Sequence, residues 1–367
     1  MDLFSDLPDP DGDQNNARIA VPVTEKSQVT STNDQVVPSS LDSTPDVATE
    51  ERKRKLVTES TSNEDVSTEK KSLILKPGMY KLKGHIKEMK GERDEMQDAH
   101  VIIDDMTSEL DNLPSSVSRL AYYAVFDGHG GARASKFAAN KLHTHIIQKF
   151  PKTDVVSLDK EVKRCLIDSF KLTDEQFLKE ASANKPNWKD GSTAICVLVV
   201  NNALYIANIG DSKALLCRFN EESKNDHFLP LSKDHNPTDY EERMRIQKAG
   251  GTVRNGRVMG ILEVSRSLGD GRFKHCGITC IPDVKKCQLT EKDRFLILAC
   301  DGLWKGFTIE GALEFINNKI KADEAGDKPD EDVDSKLEMA CSRLAAEAIR
   351  RGSSDNVTVM LVSITHI

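Results

Sequence analysis

No apolar run in this chain approaches the roughly 20 residues that a membrane-spanning helix needs, so no segment reads as a membrane span. Positive charge is not in excess either: 51 Lys and Arg face 59 Asp and Glu, for a net charge of -8, and no long basic stripe occurs in the second half. That disfavours a nucleic-acid-coating role, which needs a cationic surface. An acidic protein that handles anionic substrates needs local cations or metal ions to do so. The opening "MDLFSDLPDPDGDQ" is acidic and polar, unlike a secretory signal. The eight cysteines show no framework. Cys196, Cys217 and Cys300 sit in strand-like runs, where a free thiol packs as a small hydrophobe, which points to a soluble protein of a reducing compartment. Cys276, Cys280 and Cys287, with His275, fit no common zinc-finger spacing and read as reduced structural thiols. No internal repeat is present.

Aromatic residues are nearly missing from residues 1 to 72, where Phe4 is the only one. The segment is rich in Ser, Thr, Asp, Glu, Gln and Pro. It cannot bury enough apolar surface to offset its chain entropy, so it reads as a disordered acidic and polar arm. Within it, "ERKRK" (51 to 55) and "EKK" (ending at Lys71) form two basic clusters. They fit either a bipartite nuclear-import signal or an ordinary charged patch in a solvated tail. With the first reading, the expected location is both cytoplasmic and nuclear.

The folded part, expected over 73–367, is strand-rich. "SRLAYYAVFD", "STAICVLVV", "ALYIANIG", "KALLCRF", "RFLILACD" and "NVTVMLVSI" carry many β-branched and aromatic residues. "NN" at 201 and 202 and "GDSK" from Gly210 separate consecutive runs and read as hairpin turns. Helices are expected after Gly131, where Ala134, Ala138, Leu142 and Ile146 recur on one face. Others are expected over about 158 to 182, 239 to 249, 308 to 318 and 336 to 350. Hairpins followed by helices argue for antiparallel sheets rather than a βαβ alternation.

Acids recur at the ends of these strands. Asp127 follows an apolar run and is followed by a glycine-rich turn that also holds His129, flanked by Gly128, Gly130 and Gly131. Asp301 ends "RFLILACDG", Asp211 ends "ALYIANIGDS", and Asp355 precedes "NVTVMLVSI". "GERDEMQDAH" places Arg93, Glu95 and Asp98 before another apolar run. Each acid alone reads as a solvated loop residue. Carboxylates that converge at one sheet edge repel each other unless a cation lies between them, and an oxygen-rich site suits Mg²⁺ or Mn²⁺.

The motifs "FDGHGG", "DGSTA", "NIGDSKALL", "VSRSLGD", "ACDGLW" and "SSDNVTVML" occur in the order seen in the metal-dependent serine/threonine protein phosphatases of type 2C, which the chain resembles over about residues 84 to 365. The resemblance implies an α+β fold: a four-layer α-β-β-α sandwich of two antiparallel sheets packed face to face and flanked by helices, with a small flap subdomain over about 219 to 275. It implies hydrolysis of phosphoserine and phosphothreonine in proteins by direct attack of a metal-bridging hydroxide, with two Mn²⁺ or Mg²⁺ ions per subunit. In that scheme Asp127 bridges the ions, the Gly128 carbonyl binds one, and Asp301 and Asp355 complete the other site. Asp98 is a water-mediated or orienting carboxylate, and Gln97 stands where many members have Glu. Arg93 holds the phosphate and His129 protonates the leaving oxygen. Lys305 occupies a position where the family commonly has an Asp that helps hold a third, weaker ion, leaving Asp211 as that site's remaining partner and making the site doubtful. Glu263 replaces a common Ala near the flap. Phosphorylated proteins are the expected substrates, and integrin-linked kinase is an expected partner by resemblance; no nucleic acid or membrane is expected. No C-x5-R signature of a cysteine phosphatase occurs. The competing readings are a catalytically inactive scaffold of the same fold and another two-metal hydrolase such as a nuclease.

Overall fold

The runs Leu120–Phe126 and Ala194–Val200 do not alternate between apolar and polar because both of their faces are covered: every residue in them is buried. The reason lies in how the sheets stack. A computed structural model describes residues 80–324 and 332–366. The expectations for residues 1 to 72, the arm and its basic clusters, lie outside the described residues. In chain order the elements are β1 (Tyr80–Met89), β2 (Ala99–Ile103), β3 (Leu120–Phe126), β4 (Gly128–His129), α1 (Arg133–Lys149), α2 (Leu158–Ala183), β5 (Gly191–Ser192), β6 (Ala194–Val200), β7 (Ala203–Ile209), β8 (Lys213–Asn220) and β9 (Asn225–Pro230). There follow α3 (Tyr240–Lys248), β10 (Val253–Arg254), β11 (Arg257–Val258), β12 (Leu268–Gly269), β13 (Asp283–Gln288), β14 (Asp293–Ala299), α4 (Asp301–Gly306), α5 (Ile309–Glu324), α6 (Val333–Arg350) and β15 (Val357–His366).

One five-stranded sheet runs β1-β15-β14-β8-β9 and the other β13-β7-β6-β3-β2, and all of their pairings are antiparallel. Side chains alternate between the two faces of a strand. On β3, Ala121, Tyr123 and Val125 point into the space between the sheets, where they meet Leu216, Leu298 and Met360 from the other sheet. Leu120, Tyr122, Ala124 and Phe126 face the opposite way, onto Ala138, Leu142 and Ile146 of α1 and Leu166 of α2. The other sheet repeats the arrangement. Its outer residues Leu215, Ile297, Val359 and Leu361 pack on Ala340, Leu344 and Ala348 of α6. Helix, sheet, sheet and helix thus form the four layers expected.

The Asn201–Asn202 step is a hairpin turn: Val200 pairs with Ala203, and Asn201 takes the left-handed φ of 55°. The expected hairpin at "GDSK" is not one. β7 lies in one sheet and β8 in the other, so this step is a corner that carries the chain across the sandwich. Gly210 is required at that corner. Its φ is +90°, and a Cβ there would lie 2.5 Å from the Thr193 Cγ2. A further correction concerns the flap. Asn225–Pro230 pairs with β8 as a sheet edge, so the layer outside the sheets begins after Pro230. It has its own small core of Ile246, Val258, Leu262, Val264, Phe273 and Ile278. Arg266 holds this flap to the sandwich: it bonds Glu242 of α3 at 2.6 Å and Asp283 of β13 at 2.7 Å.

Candidate active site

A three-stranded sheet, ordered β12-β5-β4, gathers three motifs at one end of the sandwich. Gly128 pairs with Ser192 and His129 with Gly191, while Leu268 and Gly269 take the other side of β5. "FDGHGG", "DGSTA" and "VSRSLGD" are therefore neighbours. The backbone of Asp127 is fixed from β5: the Thr193 N–H donates to its carbonyl at 2.9 Å, and its own N–H donates to Thr193 Oγ1 at 3.2 Å. Thr193 Oγ1 also bonds Ser212 Oγ at 2.8 Å, which ties in the "GDSK" corner beside Asp211. Gly128 has no room for a side chain, since a Cβ would fall 2.2 Å from the Gln97 carbonyl oxygen.

The pairing of Ala99 with Phe126 sets Asp98 beside Asp127, and Thr358 Oγ1 donates to Asp98 Oδ2 at 2.7 Å. Donor atoms of Asp98, Asp127 and Cys300 lie within 4.8 Å of one another. Asn356 organises the loop that carries Arg93 and Gln97: its Oδ1 accepts from the Gln97 N–H at 2.7 Å, and its Nδ2 donates to the Lys90 carbonyl at 2.7 Å. Asp301 opens α4 with only Cys300 between it and β14, and only Asn356 separates Asp355 from the neighbouring β15.

These acids act on one another through their charges. Burial, then the charges of Asp98, Asp301, Asp211 and Asp355, push the Asp127 carboxyl well above the usual range. Burial lifts Asp98 to about 6, against opposing hydrogen bonds and with help from Asp355 and Asp301. Burial and Asp301 lift Asp211 to about 6. Asp355 goes the other way. Burial would raise it, but Lys305 and Arg93 hold it below the ordinary range. Lys305 Nζ lies 2.6 Å from Asp301 Oδ2 and 2.6 Å from Asp355 Oδ2, and Arg93 Nη2 donates to Asp355 Oδ2 at 2.9 Å. Lys305 thus places its ammonium in the gap between two carboxylates, Asp301 and Asp355, in the manner of a metal cation. Glu263 pairs with Arg257 on the flap. Cys276 packs in the flap core, Cys280 against the helix-side core and Cys287 against the inter-sheet core.

Two acids escape the sequence reading. His129 Nε2 lies 2.7 Å from Asp270 Oδ2, and Ser267 Oγ donates to the same oxygen at 2.6 Å. Burial opposes protonation of His129, but Asp270 outweighs it and the imidazole pKa is raised. Asp270 reaches this position with a φ of 50°, a region that few residues other than glycine enter. The second is Asp190, which is buried and whose carbonyl accepts from the Asp270 N–H at 3.0 Å. A signal for Asp270 existed: it ends "SLGD" with the same Gly-Asp step as Asp211.

The sequence matches the Protein phosphatase 2C family over residues 82–357; the chain belongs to that family, and it is a protein phosphatase. It is 54% identical over 378 residues to the integrin-linked kinase-associated serine/threonine phosphatase 2C of Bos taurus, covering 99% of this chain and 100% of that protein. It is 58% identical to the protein of that name from Mus musculus over 315 residues, 86% of this chain and 80% of that one. Among solved structures, a serine-threonine phosphatase 2C from Toxoplasma gondii shares the fold at a TM-score of 0.62 and 22% identity, over 77% of this chain and 95% of its own.

The family is metal-dependent, and the crowded acids fit such a centre: without a cation, Asp98 and Asp211 hold protons up to a pH of about 6. A divalent ion has to displace those protons. Mn²⁺ affinity is therefore expected to fall as pH drops through about 6, by roughly tenfold per pH unit for each displaced proton. Isothermal titration of Mn²⁺ across this range checks it; an affinity that does not change would contradict the arrangement.

Proposed function

We propose that this protein hydrolyses phosphoserine and phosphothreonine in proteins at the end of the sandwich where Asp127, Asp301 and Asp355 converge. The observation that carries this reading is that convergence, with an arginine on one side and a carboxylate-bound histidine on the other. Asp127, the Gly128 carbonyl, Asp301 and Asp355 would hold two divalent ions, with Asp98 and Gln97 beside them. Mn²⁺ or Mg²⁺ held there supplies positive charge for the phosphate and lowers the pKa of water. Arg93 is suited to the phosphate because its side chain is 56% exposed and its guanidinium forks onto two oxygens, which lysine cannot do. His129 remains 27% exposed. With Nε2 committed to Asp270, a proton for the leaving seryl or threonyl oxygen departs from Nδ1. Asp270 orients the ring and keeps it charged until then. The mammalian relatives are named for association with integrin-linked kinase, and we propose the same partner for this chain.

If His129 is the proton donor, its loss should matter most for a poor leaving group. General acids contribute about 10² to 10⁴-fold. His129→Ala should lose that much on a phosphothreonyl peptide and much less on p-nitrophenyl phosphate, whose phenolate leaves without help. Rates measured against leaving-group pKa check this, and an equally shallow dependence in native and variant proteins would sink the role.

Lys305 bears on the number of ions. Its ammonium stands on Asp301 and Asp355, so a third ion near Asp211 meets a fixed positive charge. Lys305→Asp is expected to add one weaker Mn²⁺ site, and Lys305→Met to tighten binding without adding one. Bound Mn²⁺ counted by electron paramagnetic resonance distinguishes these; a third ion in the native protein would overturn the assignment.

A further inference from the structure

Arg133 opens α1 just beyond the "DGHGG" turn. A cation is poorly placed at a helix N-terminus, where the helix dipole favours negative charge, and the first turn of α1 holds no acid to offset it. The side chain is nevertheless fixed on two sides. Its Nε donates to Asp190 Oδ1 at 2.8 Å, and the backbone N–H of Arg133 reaches the same oxygen at 3.2 Å. Its guanidinium lies over the Trp188 ring, 5.1 Å from the centroid. Trp188 in turn packs on Phe177, which packs on Phe137. Arginine alone suits such a place, since its flat cation stacks while its edge still donates.

An arginine recruited only to neutralise Asp190 would offer its fork to both carboxylate oxygens. Here Nε alone is used. Asp190 Oδ2 is buried and has no partner, and among the described residues neither terminal nitrogen of Arg133 has an acceptor. The side chain is 51% exposed while that of Asp190 is fully buried, so the free nitrogens face solvent from a rigid mount.

That mount is shared with the reaction centre. Gly191, next to Asp190, lies so close under the imidazole that a Cβ would fall 2.3 Å from His129 Nε2. Arg133 Nη2 is 3.4 Å from where a Gly131 Cβ would lie. Gly131 is two residues from His129, so Nη2 falls within about 12 Å of the His129 Cα. That is the reach of one to three extended peptide residues. If His129 protonates the leaving oxygen, this is also the side on which the substrate chain continues from that oxygen.

We propose that Arg133 selects substrates, receiving an anionic group, a carboxylate or a second phosphate, one to three residues from the phosphorylated serine or threonine. The proposal rests on the reading of the site given above. Its test is the ratio of kcat/KM values, with Mn²⁺ and the full chain, for phosphopeptides that differ only in their flanks: alanine, glutamate, or a non-hydrolysable phosphonate. The native protein should favour the two anionic flanks over alanine by about five- to tenfold, and the larger of the two preferences identifies the group. Arg133→Gln, which can still bond Asp190, should bring both ratios within about twofold of one. Arg133→Lys keeps a charge beside Asp190 but has no free fork, and should fall between. An active native protein with no preference overturns the proposal. So does an Arg133→Gln variant that loses rate equally on all three peptides, because the arginine would then only support the turn. Failure of the native protein to turn over p-nitrophenyl phosphate would defeat the reading of the site itself, and the proposal with it.

Discussion

Carboxylate repulsion at one end of the sandwich is the constraint around which the structure is arranged. Asp98, Asp127, Asp211, Asp301 and Asp355 come from five separate segments, and Asp127 feels the charge of the other four. No local preference would bring them together. They are held by the interior: the apolar faces of β3, β6, β14 and β15 fix the strand ends, and the side chains at those ends go where the sheets put them. Burial of apolar surface, at about 25 cal/mol per Å², thus offsets an electrostatic cost that a cation relieves. Lys305 supplies one cation from within the chain; the family's divalent ions are the other source.

The histidine side of the site obeys a different logic. A buried imidazole is ordinarily driven neutral, yet His129 is held toward its charged form because Asp270 is 2.7 Å away. Asp270 in turn is kept ionised, against burial, by His129, Ser267 and Lys274. The same strip of backbone, residues 190 to 192, supports His129 through β5 and Arg133 through Asp190. The proposed proton donor and the proposed flank recognition therefore share one support, while Arg93, proposed for the phosphate, has another, built on Asn356.

Much of the fold is legible in the sequence where burial is total. Strands covered on both faces write themselves as unbroken apolar runs, as in "AYYAVF" and "AICVLVV". Edge strands do not. β9 and β13 are partly exposed, with polar sequences "NDHFLP" and "DVKKCQ", and they carry no such signal. β1 alternates only over its first residues, with Tyr80 and Leu82 buried and Lys81 and Lys83 exposed, and the alternation ends at Gly84. The "GDSK" corner looks like a hairpin turn because glycine serves both, and only the assignment of β7 and β8 to different sheets separates them. In the site, acids after apolar runs are visible from spacing. The work of Asp270 and Asp190 is not, because it is defined by partners 141 and 57 residues away in the chain.

Asp127 destabilises the metal-free fold and is tolerated, on the proposed reading, for the ion it would hold. A folded-state pKa above the ordinary value means that the charged form is disfavoured in the native protein, so at neutral pH that charge costs stability. Asp127→Asn keeps the shape and removes the charge. Thermal unfolding of both proteins in EDTA and in saturating Mn²⁺ tests this directly. The variant is predicted to melt a few degrees above the native protein in EDTA, and the order is predicted to reverse with Mn²⁺, which stabilises only the protein that binds it. A variant that is the less stable of the two in EDTA as well would contradict the account.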